Sequence, residues 1–474
     1  MELQNFLKLQ SAIKRGTLSC VDLVEHYLAE IDRRMDLNAF LVVMADEARR
    51  RAEVVDGKIK NGSAGKLAGM VLAVKDNLVL KDKPVTCGSH ILENFISPYH
   101  ATVIQKLIDA DAILIGKTNM DEFAMGSSNE NSYFGPVLNP IDETKIPGGS
   151  SGGSAVSVAA NLAYAAFGSD TGGSIRQPAA MCGVVGLKPT YGRVSRFGLV
   201  AFASSFDQIG PITRSVRDAA LLLSVIAGYD PHDSTSANLP VPDYFADIDS
   251  GVRELKLAFP KEYLEEGIDT EVEAAVENVL HRLKDGGAGV EAVTFPSSEY
   301  ALATYYILAN AEASSNLSRF DGARYGFRAQ DTTDLESMYT LSRSEGFGEE
   351  VKRRIMMGTY VLSAGYYDAY YRKAQKVRTL IKREYDGAFK KYDGIIAPTT
   401  PTTAFKLGEK LDNPLQMYLS DIYTIPANLA GFNSLSLPCG VDANGLPIGV
   451  QIMTRPFNES MTFRIAQFLE DALQ

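Results

Sequence analysis

Two serine–glycine segments have the composition of a site for acyl transfer. They are PGGSSGGS at Pro147–Ser154 and DTGGSIR at Asp170–Arg176. Glycine leaves the backbone free to curl, so consecutive N–H groups can point at one oxygen and hold the oxyanion of an acyl-transfer transition state. The second segment therefore predicts an oxyanion site, with a plain tight turn as the alternative. The predicted donors are the N–H groups of Thr171, Gly172, Gly173 and Ser174.

A lysine at the end of an apolar run is the candidate base. The run LAGMVLAV at 67–74 predicts a buried strand, and Lys75 follows it directly. A serine hydroxyl is a weak nucleophile until a base takes its proton, and lysine can do this only when it is neutral. Lowering a lysine pKa from about 10.4 to about 7 requires roughly 4–5 kcal/mol, which burial can supply. The alternative is a lysine that reaches water from the strand end.

Other motifs that use glycine or serine fit less well. The first segment lacks the GK[ST] ending of a phosphate-binding loop, and Gly116–Thr118 lacks the upstream glycine. Residues 148–152 match GxSxG, but the polar stretch NPIDETKIP precedes them where a nucleophile elbow needs a buried strand. Ser63–Lys66 fits SxxK without an accompanying KTG. The five histidines lie in helical or loop sequence, so none is predicted to be the base.

Alternating strands and helices must position these residues. The N-terminal 3–55 stretch predicts two amphipathic helices, the second capped by Ser19 and Asp22. Further strands are predicted at 112–119, 163–170, 255–259, 290–295 and 394–398, and helices at 154–162, from Ser174 and at 270–284, with a mostly helical stretch at 298–392. The Gly-, Ser-, Asn- and Pro-rich stretch 126–153 predicts a long functional loop. This alternation indicates an α/β fold, a sheet covered by helices.

No linker or repeat divides the chain, so we expect a single domain over residues 1–474. Its expected parts are N-terminal helices at 1–60, a catalytic core at 61–230, a largely helical region for substrate or partner at 250–390, and a return to the sheet at 391–474.

Composition limits the function classes. A net charge of −11 argues against direct binding of a nucleic-acid backbone, so any polynucleotide contact would need a partner. The most basic stretch, Arg372–Arg383, has helical spacing and is expected to be a solvated face. The four cysteines form no metal-binding pattern, and no apolar run reaches the ~18 residues that span a bilayer. With no signal-peptide pattern, a soluble cytoplasmic enzyme without a metal is expected.

Three segments together resemble the amidase signature family of Ser–cis-Ser–Lys hydrolases. They are VLAVKDN with Lys75, PGGSSGGSA with Ser150 and GSDTGGSIRQPAA with Ser174. The resemblance implies a central mixed β-sheet covered on both faces by α-helices. It also implies that Ser174 is the nucleophile, that Lys75 is the base acting through Ser150, and that the Gly149–Ser150 bond is cis. Asp170 and Arg176 flank the loop and could lock it as an ion pair, with two surface residues as the alternative.

Longer segments, such as DEFAMGSSNENSYFGPVLNP and DIYTIPANLAGFNSLSLPCG, resemble the glutaminase subunits of tRNA-dependent amidotransferases. This resemblance implies that the substrate is glutamine and that the ammonia passes to a B subunit, which amidates misacylated tRNA with ATP and Mg²⁺, while a small C subunit braces the pair. No cofactor is expected in this chain. The implied glutamine-binding residues are Tyr305, Arg354 and Asp421, with Tyr306 and Arg353 as alternatives for the first two.

Two other functions stay open at this point. One is a free-standing amidase that acts on other amides with the same three catalytic residues. The other is a scaffold subunit of a tRNA-modifying complex without catalytic activity, although the intact set of Lys75, Ser150 and Ser174 argues against it.

Overall fold

The computed structural model of the chain describes residues 6–264 and 267–473. Within these residues there are eleven strands and fifteen α-helices. The strands are β1 Phe40–Val43, β2 Val71–Lys75, β3 Ile113–Thr118, β4 Ala165–Asp170, β5 Val185–Lys188, β6 Gln208–Thr213, β7 Lys256–Pro260, β8 Gly289–Val293, β9 Gly394–Pro398, β10 Asn433–Val441 and β11 Pro447–Thr454. The helices are α1 Phe6–Lys14, α2 Cys20–Arg33, α3 Ala45–Lys60, α4 Thr102–Asp109, α5 Gly152–Ala159, α6 Arg176–Cys182, α7 Val216–Ile226, α8 Thr270–Asp285, α9 Ala301–Asn316, α10 Leu335–Gly346, α11 Glu349–Leu362, α12 Lys373–Ala388, α13 Pro414–Leu419, α14 Ile425–Ala430 and α15 Glu459–Ala472.

All eleven strands form one mixed sheet. Its order is β1-β3-β2-β4-β6-β5-β10-β11-β9-β7-β8. Strand β2 is parallel to both β3 and β4, and β7 is parallel to both β8 and β9, whereas the other pairs are antiparallel. Every residue of the central strands β2, β4, β6 and β11 is buried. Since successive side chains point to opposite faces, both faces of the sheet are covered, as predicted for this α/β fold.

The parallel pairing of β2 and β4 brings the two chemical segments together. Leu72 lies beside Ala165 and Val74 beside Phe167. The carboxyl ends of parallel strands meet at one edge of the sheet, so Lys75 at the end of β2 lies near Asp170 at the end of β4. The chain from Asp170 turns directly into α6, which keeps the second glycine segment at that edge.

The N-terminal region differs from the prediction of two helices. The capping box of Ser19 and Asp22 begins α2 as predicted, but a strand, β1, and a third helix, α3, follow it, and the predicted residues 3–5 lie outside the described residues. Strand β1 is only four residues long, half-exposed, and pairs with β3 at the edge of the sheet. Such a short edge strand leaves too weak an apolar pattern to predict.

Candidate active site

The amine of Lys75 is buried among hydroxyl and carbonyl oxygens. Its Nζ lies 2.7 Å from Ser150 Oγ, 2.8 Å from Ser151 Oγ and 3.5 Å from the Ser169 carbonyl oxygen. The side chain has no exposed surface. Burial lowers its pKa from 10.5 to about 7, although the surrounding carboxylates, that of Asp121 first among them, act in the opposite direction. The amine can therefore be neutral near pH 7 and accept a proton from Ser150.

The Ser150 segment is held from both sides. The Gly149–Ser150 peptide bond is cis, as the resemblance implies. The Gly149 N–H donates to Gln177 Oε1 at 2.9 Å, and the Asp121 N–H donates to the Ser150 carbonyl at 3.3 Å. A Cβ on Gly149 would lie 2.1 Å from Asp121 Oδ2, so only glycine fits here. A polar loop leads into Ser150, whereas a nucleophile elbow would follow a strand. The structure therefore agrees that this segment is not a nucleophile elbow.

Asp170 organises the second glycine segment. Its carboxylate accepts hydrogen bonds from the Gly173 N–H at 2.9 Å, from Arg176 Nε at 3.0 Å and from Asn428 Nδ2 at 2.9 Å. Burial alone would raise the pKa of Asp170, but the charge of Arg176 lowers it to about 2. The expected Asp170–Arg176 ion pair is thus present, and it is fully buried.

The oxyanion prediction needs one correction. The N–H of Gly173 donates to Asp170, so it holds the loop and is not free for a substrate. Its place in the predicted donor set was wrong because the sequence does not show that Asp170 turns back on the loop. Within residues 6–264 and 267–473, no protein acceptor takes a hydrogen bond from the N–H groups of Thr171, Gly172 or Ser174. These three remain the candidate donors.

Ser174 lies at the same edge, linked to the first segment by its backbone. The Ser151 N–H donates to the Ser174 carbonyl at 3.2 Å. Ser174 is 8% exposed, whereas Lys75 and Ser150 have no exposed surface. No hydrogen bond joins the hydroxyls of Ser174 and Ser150 in the described part of the chain. Catalytic hydrogen bonds commonly tighten only when substrate is bound.

Arg354, and not Arg353, faces the interior. The Arg354 guanidinium is buried, its Nε donates to Glu350 Oε1 at 2.7 Å, and it lies 5.2 Å from the Tyr306 ring and 5.3 Å from the Tyr418 ring. No described residue accepts from its terminal nitrogens. The Arg353 side chain is 42% exposed and pairs with Glu350 from outside. A buried guanidinium with an unoccupied fork is suited to binding a carboxylate in a bidentate manner.

Asp421 and the two tyrosines lie close to the second glycine segment. Asp421 is buried and accepts a hydrogen bond from Ser127 Oγ at 2.5 Å, and burial raises its pKa to about 7. A Cβ on Gly172 would lie 2.6 Å from the Tyr305 hydroxyl, so Tyr305 contacts the oxyanion loop. Tyr306 packs edge-on against Tyr305 with ring centres 5.2 Å apart. Tyr305 therefore contacts the loop, whereas Tyr306 contacts Arg354.

Several site residues were missed from the sequence. Thr424 donates to the Gly172 carbonyl at 2.6 Å, and its hydroxyl also contacts the Asp421 carbonyl at 3.0 Å, so it ties Asp421 to the loop. Ser151 shares the Lys75 amine, and Ser127 holds Asp421. Only Glu350 had a local signal, its spacing of four residues from Arg354 on a helix.

No group of three or more His, Cys, Asp or Glu in the described residues could hold a metal ion. All four cysteines are buried and unpaired. Of the helices described, none has the length and apolar character needed to cross a bilayer.

The site and fold define an amidase. The model of the Amidase family matches residues 22–463, so the chain belongs to that family, and the resemblance stated from the sequence is confirmed. The structure resembles that of native peptide amidase from Stenotrophomonas maltophilia with a TM-score of 0.84 at 30% identity, covering 100% of this chain and 97% of that one.

Sequence identity is higher to one group within the family, the proteins named as A subunits of glutamyl-tRNA(Gln) amidotransferase. The protein of that name from Chlorobium limicola is 53% identical over 472 residues, covering 99% of this chain and 100% of the relative. The Geobacillus sp. (strain WCH70) protein is 57% identical over 468 residues, covering 98% and 96%. The crystal structure of the Thermotoga maritima protein superposes with a TM-score of 0.80 at 45% identity, covering 95% of this chain and 93% of that one.

Proposed function

We propose that this chain is the glutamine-hydrolysing subunit of a tRNA-dependent amidotransferase, supplying ammonia for amidation of Glu-tRNA(Gln), Asp-tRNA(Asn) or both. Two features of one site carry the proposal. The buried Lys75 amine lies 2.7 Å from Ser150 Oγ, and the terminal nitrogens of the buried Arg354 have no protein acceptor among the described residues. The first suits amide hydrolysis, and the second suits an amide that carries a carboxylate. Identity of 53–57% over nearly the whole chain to the amidotransferase subunits supports the tRNA-dependent role.

Glutamine would be held by its α-substituents. Its α-carboxylate pairs with the fork of Arg354, and its α-ammonium pairs with Asp421, which binding of a cation would keep ionised. The Tyr305 hydroxyl, next to Gly172, would then lie beside the side-chain amide of glutamine as it approaches residues 171–174. Because Arg354 and Asp421 hold the α-substituents, the amide carbon at the other end of glutamine is positioned for attack.

Acylation then uses the three catalytic residues in sequence. Ser174 Oγ attacks the amide carbon while its proton passes to Ser150, whose own proton passes to the neutral amine of Lys75. The N–H groups of Thr171, Gly172 and Ser174 hold the oxyanion. When the tetrahedral intermediate collapses, the same relay returns the proton to the leaving nitrogen, and ammonia departs from an acyl-Ser174 ester.

Deacylation repeats the relay with water. The amine of Lys75, neutral again, draws a proton from water through Ser150, and the resulting hydroxide equivalent attacks the ester. The second oxyanion uses the same N–H groups. Its collapse returns the proton to Ser174 and releases glutamate.

The chain's charge and its proposed reaction indicate which partners and cofactors it would need. Because a net charge of −11 disfavours direct binding of tRNA by this chain, a B subunit would bind the tRNA. The B subunit would also hold ATP and Mg²⁺, and a C subunit would brace the two. This chain itself would need no cofactor. Because its product serves aminoacyl-tRNA, we expect the complex in the cytoplasm.

The test is glutamine hydrolysis by the complex of this chain with its partner subunits. Ser174→Ala should lower glutaminase activity by at least about 10³-fold, because the nucleophile is lost. Ser63→Ala, an exposed serine of the SxxK match, is the matched control and should leave activity unchanged. Unchanged glutaminase activity of Ser174→Ala would establish a scaffold role. Strong turnover of simple aliphatic amides by the chain alone, with indifference to glutamine, would favour a free-standing amidase.

A further inference from the structure

A buried carboxylate outside the site described above holds the first residue of the 171–174 loop. The Thr171 hydroxyl donates to Asp207 Oδ1 at 2.7 Å, and both residues are buried. The sheet brings them together. Asp170 at the end of β4 lies opposite Gln208 at the start of the antiparallel strand β6. One residue further along, the same register places Thr171 opposite Asp207.

The carboxylate of Asp207 is itself held in place by the turn before β6. Its Oδ2 accepts hydrogen bonds from the N–H of Phe202 at 3.0 Å and from the N–H of Ala203 at 3.1 Å. Burial raises the pKa of Asp207 to about 6, so at neutral pH and above the carboxylate is ionised and only accepts hydrogen bonds. Its bond with the Thr171 hydroxyl is therefore charge-assisted, which makes it a strong one.

Thr171 is the residue through which a side chain can act on the start of the loop. Gly172 and Gly173 follow it, and glycine leaves the backbone free to reorient. Asp170 holds the Gly173 N–H, and Thr424 holds the Gly172 carbonyl. The bond to Asp207 adds a third point of attachment, at Thr171 itself. Oxyanion donors lower the barrier when they are already fixed in the direction of the developing charge.

We propose that Asp207 is a positioning residue for amide hydrolysis, an inference that rests on the proposed function. By holding the Thr171 hydroxyl, Asp207 keeps the Thr171 N–H aimed at the oxyanion that forms when Ser174 attacks the amide carbon. The hydrogen-bond donor to the oxyanion is Thr171. Asp207 acts through it and takes no proton from the relay.

The turn that Asp207 closes also contacts the proposed glutamine-binding residues. The ring centre of Phe202 lies 5.6 Å from the guanidinium carbon of Arg354, and that of Phe206 lies 5.7 Å from the ring centre of Tyr305. A substitution of Asp207 therefore reaches both the glutamine-binding side and the oxyanion side of the site. Removal of the hydroxyl on the other side of the bond acts on the loop directly, so the test begins there.

The test is Thr171→Val in the complex of this chain with its partner subunits, with kcat and KM for glutamine measured separately. This substitution removes the hydroxyl, adds no bulk and leaves the backbone N–H in place. We expect kcat to fall at least about tenfold with KM changed less than about twofold, because complete loss of an oxyanion donor costs about 10²- to 10³-fold and a misdirected donor loses part of that. Asp207→Asn, which keeps the shape and removes the charge, should lower kcat at least as much.

A double variant and two matched controls separate positioning from a general loss of stability. The Thr171→Val, Asp207→Asn double variant should have a kcat within about twofold of that of Asp207→Asn alone, because both changes break the same bond. Asp442 accepts the Thr403 hydroxyl at 2.8 Å and two backbone N–H groups, which is the same kind of contact outside the site. Thr403→Val and Asp442→Asn should therefore keep the wild-type kcat, whatever their effect on Tm.

An unchanged kcat of Thr171→Val overturns the proposal. A rise in KM without a fall in kcat also overturns it, because the hydroxyl would then act in substrate binding. So do fully additive losses in the double variant, or an equal fall in kcat in Thr403→Val. The proposed function fails separately: a wild-type complex that turns over aliphatic amides and not glutamine rejects that function, and the same comparison of kcat on the aliphatic amide then decides the role of Asp207.

Discussion

The pH dependence of kcat for glutamine hydrolysis should follow the ionisation of Lys75. Burial lowers the pKa of this amine to about 7. The amine is charged below its pKa and neutral above it, so about 10% of it is neutral at pH 6 and about 90% at pH 8. Only the neutral form can take a proton from Ser150. We therefore expect kcat to rise about tenfold from pH 6 to pH 8 and to level off at higher pH.

Asp421 adds a second ionisation that the measurement must separate. Burial raises its pKa to about 7, and it must be ionised to pair with the α-ammonium of glutamine. In the free enzyme both groups titrate in the same range, so kcat/KM should rise more steeply with pH than kcat does. In the substrate complex the ammonium lowers the pKa of Asp421, so kcat reports Lys75 alone.

The assay is glutamate release by the purified complex from about pH 5.5 to about pH 9 at constant ionic strength, with kcat and KM determined separately at each pH. Lys75→Arg provides the decisive variant, because a guanidinium stays charged throughout this range. It should be inactive at every pH, whereas Lys66→Arg, at an exposed lysine, should reproduce the wild-type profile. A kcat that is flat or falls between pH 6 and pH 8, or an active Lys75→Arg enzyme, would refute the role of Lys75 as base.

Two further variants test the substrate pocket and the loop. Glu350→Gln removes the carboxylate charge that holds Arg354 Nε. We expect the KM for glutamine to rise about tenfold, with kcat changed less than about twofold. An equal fall in kcat and kcat/KM would contradict a purely positioning role for Glu350. Gly172→Ala places a methyl group 2.6 Å from the Tyr305 hydroxyl and should lower kcat/KM by about 10², since a displaced oxyanion donor costs that much. Gly57→Ala, in open space on α3, should have wild-type kinetics, and equal kinetics for both alanine variants would disprove the close contact.

Local patterns predicted the parts of the site that lie within one element and its following turn. The apolar run before Lys75 predicted the buried strand β2, and the glycine segment after Asp170 predicted the strand, turn and helix start that hold Ser174. The α/β class followed from the same alternation. In each case a hydrophobic period or a glycine turn specifies structure over a few residues, which is the range over which sequence patterns are informative.

Contacts between distant segments could not be predicted from the residues alone. Ser127 and Asp421 are 294 positions apart, and neither has a neighbour that indicates the other. Thr424 meets Gly172 only because α14 returns to the sheet edge. The central hairpin β10–β11 was foreseen only as a return to the sheet, since its serines, glycines and prolines weaken any alternating pattern. The resemblance supplied Tyr305, Arg354 and Asp421, which local reasoning would have treated as ordinary helical or loop residues.

A comparison of two lysines shows why geometry, and not residue type, selects the base. Lys75 and Lys117 lie at the same ends of the adjacent parallel strands β2 and β3, and both are fully buried. Lys117 is 2.9 Å from the Asp76 carboxylate, with which it forms a buried ion pair. Lys75, one residue before Asp76, has only hydroxyl and carbonyl oxygens within hydrogen-bonding distance among the described residues. Burial without a carboxylate in contact is what makes its amine a proton acceptor, because an adjoining carboxylate would favour the charged ammonium and remove the base.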